Sequence, residues 1–72
     1  MEKVPILLQD EGIIEEYNEI KDGQITKFKV KLAENYSFAD IVRKMPDDWK
    51  IETLDDDTAN IWRSGQPVVY TM

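Results

Sequence analysis

From Ile25 to Leu32 the chain alternates: Lys27, Lys29 and Lys31 interleave with Phe28, Val30 and Leu32. A repeat of two is the repeat of a β-strand, whose successive side chains point to opposite faces. This stretch therefore specifies a sheet with one buried and one wet face. Asp22-Gly23 stands just before it. Asp-Gly between two strand-like runs signals a hairpin, because both turn positions need positive φ. A two-residue turn there sets Glu16 opposite Lys29, Asn18 opposite Lys27 and Tyr17 opposite Phe28, all favourable cross-strand pairs. Ile13, Tyr17 and Ile20 also fit helical spacing in a Glu-rich segment, so Ile13–Ile20 reads as strand or helix, with the hairpin preferred.

The rest of the chain reads as short elements between tight turns. Val4 to Gln9 is an apolar segment that suggests a first strand, with Pro5 near its start, where a missing N–H is tolerated at a sheet edge. Asp10-Glu11-Gly12 follows as a turn. Ser37 to Met45 is the clearest helix: Phe38, Ile41, Val42 and Met45 form one stripe at i, i+3, i+4 and i+7. Ser37 is a good N-cap that Asp40 can answer. Arg43 and Lys44 complement the C-terminal dipole, and Pro46 ends the helix. Trp49 to Leu54, Thr58 to Arg63 and Pro67 to Thr71 read as strands, separated by Asp55-Asp56-Asp57 and Ser64-Gly65-Gln66.

The expected fold is α+β: a small antiparallel sheet with one amphipathic helix packed on one face. The expected core is Leu8, Tyr17, Phe28, Val30, Leu32, Phe38, Ile41, Val42, Met45, Trp49, Ile51, Ile61, Val68 and Tyr70. At 72 residues, residues 1–72 make a single compact domain that buries only about 60% of its unfolded surface. Cysteine and histidine are both absent, so neither a disulfide nor a zinc site supplements the core. Close packing or a homodimer is the expected source of stability. The longest apolar run, Ile6-Leu7-Leu8, is far short of a membrane span, and Met1 to Pro5 lack the marks of a signal peptide. The expected site of action is the cytoplasm.

The residue inventory argues against catalysis. Without His or Cys there is no triad, and a carboxylate pair would need a cleft that so small a chain does not build. The three glycines fall in predicted turns, so there is no phosphate loop, and no cofactor is expected. Asp55-Asp56-Asp57 lacks the alternate-ligand spacing of a calcium loop, so no metal is expected. Lys27, Lys29 and Lys31 are partly answered by Glu16 and have no interleaved aromatic, which with a net charge of −6 argues against direct nucleic-acid binding.

The acids are grouped. Glu11, Glu15, Glu16, Glu19 and Asp22 form one group, and Asp47, Asp48, Glu52, Asp55, Asp56 and Asp57 a second; no acid follows Ala59. Carboxylates at i and i+2 on a strand stand about 6.5 to 7 Å apart, an order of spacing comparable with DNA phosphates. The bland alternative is two solvated faces that keep the protein soluble.

In size, charge, missing Cys and His, and compact α+β pattern, the chain resembles the small acidic bacteriophage host-takeover proteins of the DNA-mimic type. No motif carries that resemblance, so no functional residues transfer with it. It implies a non-enzymatic binding inhibitor, working in the bacterial host cell, that occupies the DNA-binding surface of a host protein: a nucleoid protein, sliding clamp, polymerase or nuclease. The partner-binding candidates are Glu15, Glu16, Glu19, Asp22, Asp47, Asp48, Glu52, Asp55, Asp56 and Asp57. Two alternatives stay open. One is an interaction module docking through apolar surface at Trp62 and Tyr70; the other is a small structural or assembly subunit.

Overall fold

The computed structural model describes residues 3–65. In chain order the elements are α1 (Val4–Asp10), β1 (Ile14–Asp22), β2 (Ile25–Leu32), α2 (Phe38–Lys44), β3 (Trp49–Thr53) and β4 (Thr58–Arg63). The strands form one antiparallel sheet in the order β1-β2-β4-β3, so β2 and β4 are central and β1 and β3 are edges. The α+β class read from the sequence is the class observed. The strand expected at Pro67–Thr71, with Val68 and Tyr70, lies outside the described residues.

The first element is a correction: Val4 to Gln9 belongs to helix α1, not to a strand. Pro5 sits in the first turn, where its missing N–H is one the helix would leave unpaired anyway. Pro5 and Leu8, three apart, are the buried residues of the helix. The end of α1 is set by Gly12, at φ 77. The Gly12 N–H donates to the Gln9 carbonyl and the Ile13 N–H to the Leu8 carbonyl, each at 3.0 Å. Those two bonds, with Leu8 and Ile13 both buried, make a Schellman cap. The apparent turn Asp10-Glu11-Gly12 is thus the end of a helix, and a six-residue apolar window is too short for periodicity to reveal it.

The hairpin is present and Ile13–Ile20 is not helical, but its register differs from the expected one. Asp22 pairs with Ile25, so the two loop residues are Gly23 and Gln24, not Asp22 and Gly23. Gly23 has φ 65 and Gln24 does not share the left-handed region, the arrangement of a type II′ turn, which places Gly first. Glu16 therefore faces Lys31, Asn18 faces Lys29 and Tyr17 faces Val30. The slide is an even number of residues, so every side chain keeps its expected face. Tyr17 still reaches Phe28 on the diagonal, ring centroids 6.3 Å apart and edge-on. An irregularity between Ile14 and Glu16 leaves Glu15 as the extra residue of a bulge.

Both helices cover one face of the sheet. Leu8, Ile13, Ile14, Phe28, Val30, Leu32, Ile41, Trp49, Ala59 and Ile61 form a continuous core, with Tyr17, Phe38, Met45 and Ile51 packed against it. Phe28 also stacks on Trp49, centroids 6.2 Å apart. Val42 is the exception to the expected stripe: it is half exposed. The two-turn α2 meets the sheet along Phe38, Ile41 and Met45, and Val42 lies to the side of that line. Ile13, Ile14 and Ala59 join the core unexpectedly, the first two because the capped end of α1 turns them inward. No helix among the described residues is long and apolar enough to cross a membrane.

Candidate functional site

The sheet has one covered face and one open face, and strand alternation assigns each charged residue to a side. On the open face stand Glu16, Asn18, Ile20 and Asp22 of β1, Lys27, Lys29 and Lys31 of β2, Thr58, Asn60 and Trp62 of β4, and Lys50 and Glu52 of β3. Glu19 pairs with Phe28 and so points to the covered side, where it is nonetheless exposed. The acids of β1 consequently do not form one row: Glu16 and Asp22 share a face, Glu19 takes the other and Glu15 sits in the bulge.

Local pairing neutralises part of the open face. The Lys27 Nζ lies 2.9 Å from the Asp22 carboxylate and 4.4 Å from the centre of the Trp62 ring. A cation held over an aromatic face and against a carboxylate is satisfied twice. The Lys31 Nζ lies 3.6 Å from the Glu15 carboxylate. Trp62 corrects one sequence inference, because an aromatic does share the wet face with the lysines, contributed by a different strand. The alternation of buried Ala59 and Ile61 within β4 carried that placement.

A further set of acids collects at one end of the sheet. The β3–β4 turn carries Asp55, Asp56 and Asp57, all exposed. The Asp57 carbonyl accepts the Leu32 N–H at 2.7 Å, which binds this turn to the end of β2. A shallow groove results, lined by Glu15, Glu34, Asp56 and Asp57 with Lys31 among them. Sequence reasoning missed Glu34, which falls between the two acidic groups in the chain and joins them only in three dimensions. Asp55 is also tied locally, accepting the Thr58 hydroxyl at 3.1 Å. Asp47 and Asp48 lie at the other end of β3, on the order of 23 Å from Asp55 along an extended strand. Glu52 stands between them on the open face, 3.5 Å from the Asn60 side-chain amide. Tyr70 lies outside the described residues.

Among the described residues no group of three or more carboxylates converges as a metal site would require. The Asp40 carboxyl, outside the groove, is held below the usual carboxylate range. The Ser37 backbone N–H, at 2.8 Å, is the main cause; the Ser37 hydroxyl and the Arg43 guanidinium act in the same direction, against some desolvation. This is the acid half of a capping box.

Comparison with protein-family models, with characterised proteins and with solved structures finds no match.

Proposed function

We propose that this chain is a non-enzymatic binding inhibitor whose acidic end occupies the DNA-binding surface of a basic protein. The observation that carries the reading is the convergence of Glu15, Glu34, Asp56 and Asp57 on one groove beside Asp55, in a chain of net charge −6. Four carboxylates around a single lysine give a strongly negative local field. That field steers a Lys- and Arg-rich surface into contact and competes with the phosphates such a surface normally grips. Asp47, Asp48 and Glu52 extend the negative charge along β3, and Glu16 flanks the groove. Glu19 and Asp22 lie away from it and contribute least.

The test is capture of partners from a bacterial lysate at low and at high salt, with duplex DNA as competitor. The reading expects a DNA-binding protein that is released by high salt, displaced by DNA and no longer captured by the triple variant Asp55→Asn, Asp56→Asn, Asp57→Asn. A partner that survives high salt and ignores DNA overturns it. That outcome favours the second reading, an interaction module docking on the open face, for which half-buried Trp62 is the anchor. Apolar docking does not weaken as charges are screened.

A further inference from the structure

We propose that the outer edge of β3 is a self-complementary docking edge for a second copy of this chain, paired antiparallel about Ile51. Among the described residues no strand lies outside β3. The direction of its free hydrogen-bonding groups follows from the inner ladder. The Leu54 N–H donates to the Thr58 carbonyl at 2.9 Å, and the Ser64 N–H donates to the Asp48 carbonyl at 2.7 Å. Antiparallel ladders alternate between bonded and non-bonded residues. In the observed register, Lys50 and Glu52 therefore bond to β4, and the backbone groups of Trp49, Ile51 and Thr53 point outward. The Trp49 N–H is already taken by the Pro46 carbonyl at 3.1 Å. Among the described residues, Ile51 and Thr53 thus offer both N–H and C=O, and Trp49 offers C=O.

Charge selects how a second copy fits. Outward residues must meet outward residues, which leaves few registers. Pairing Ile51 with Trp49 of the second copy sets Lys50 against Lys50, and pairing Ile51 with Thr53 sets Glu52 against Glu52. Pairing Ile51 with Ile51 sets Lys50 against Glu52 on both sides of the two-fold axis and Trp49 against Thr53. Opposite charges directly across a strand pair are favourable and like charges are not. Half-buried Ile51 meets its own copy on the helix side. This is the isologous contact of a two-fold dimer, and it makes a single eight-stranded sheet. The other edge is less suited, because the bulge at Glu15 interrupts β1.

The turns oppose this contact. Asp47 and Asp48 of one copy approach Leu54 and Asp55 of the other at each end of the interface. Their repulsion weakens the dimer, and its screening tightens the contact as salt rises. It also gathers acids from two copies at each end of the shared edge.

Sedimentation velocity on the full chain, from about 10 μM to about 1 mM, tests the dimer, with amide hydrogen exchange measured at both extremes. The expected result is a monomer–dimer equilibrium in which the Ile51 and Thr53 amides become protected only at high concentration. Lys50→Glu and Glu52→Lys each weaken the dimer on the order of tenfold, and the two together restore it. Both residues are exposed, so circular dichroism should report an intact fold in every variant. A monomer throughout, a dimer that leaves those amides unprotected, or a double variant as weak as the singles overturns the proposal. None of these outcomes depends on whether the acidic end binds a DNA-binding protein.

Discussion

The covered and open faces of the sheet are built from the same strands one residue out of step, yet they do different work. Along β2, Phe28, Val30 and Leu32 are buried under the helices while Lys29 stands in solvent. Along β4, Ala59 and Ile61 are fully buried while Asn60 and Trp62 are half covered. The covered face is where apolar area leaves water, and nearly all of the stabilisation from that source lies there. On the open face Lys27 pairs with Asp22 and Lys31 with Glu15 of the bulge. A small chain with no cysteine to form a disulfide therefore places its stability on one side of a four-stranded sheet and, among the described residues, leaves the other side and the edges available for contact.

The largest expected effect tests the covered face. Ile61→Ala should cost about 2–5 kcal/mol, because the cavity opens where β4, β2 and the helices meet. Urea unfolding followed by tryptophan fluorescence checks it, and a loss below 1 kcal/mol would break the comparison. Gly12→Ala comes next. Nothing lies within 4 Å of an added Cβ there, so the cost is purely the left-handed backbone, about 1–2 kcal/mol. It should appear in thermal melting as loosening of α1 over the core. On the open face Lys27→Met keeps the aliphatic stem and removes the contacts to Asp22 and Trp62. About 0.5–1 kcal/mol is expected, together with a change in Trp62 fluorescence. Lys29→Ala, on the same strand and face, should stay within about 0.5 kcal/mol of the parent.

The last prediction concerns acid. The Asp40 carboxyl is lowered by its bonds to Ser37, so the folded state favours its ionised form. That contribution is fully present above the ordinary carboxylate pKa, about 3.9, and is lost as pH falls through the lower folded value. Asp40→Asn should flatten the acid limb of the stability profile below about pH 4 and leave its slope near neutrality unchanged. An unchanged acid limb would mean that the capping bond contributes nothing to α2.

What the sequence determined by itself were the features that rest on short-range physics. The period-two run at Ile25–Leu32, the glycine of the hairpin, the Ser37 and Asp40 cap and the stop at Pro46 are all local, and each stands where the residues implied. Three points needed tertiary structure. Val4–Gln9 is apolar enough for strand or helix, and Leu8 and Ile13 choose helix by packing together beneath a Gly12 cap. The hairpin turn could begin at Asp22 or Gly23 without changing which side chains face the core, so the hydrophobic pattern could not distinguish the two. The candidate site was legible only in part. Asp55, Asp56 and Asp57 announce themselves in the chain, but Glu34 and Glu15 reach the same groove through the pairing of β2 with β4 and the bulge in β1. Glu19 and Asp22, three residues apart in sequence, are sent to opposite faces by strand alternation. Charge density is a property of composition, whereas the sharing of a surface by charges distant in the chain is decided by strand order and register, which only long-range contacts fix.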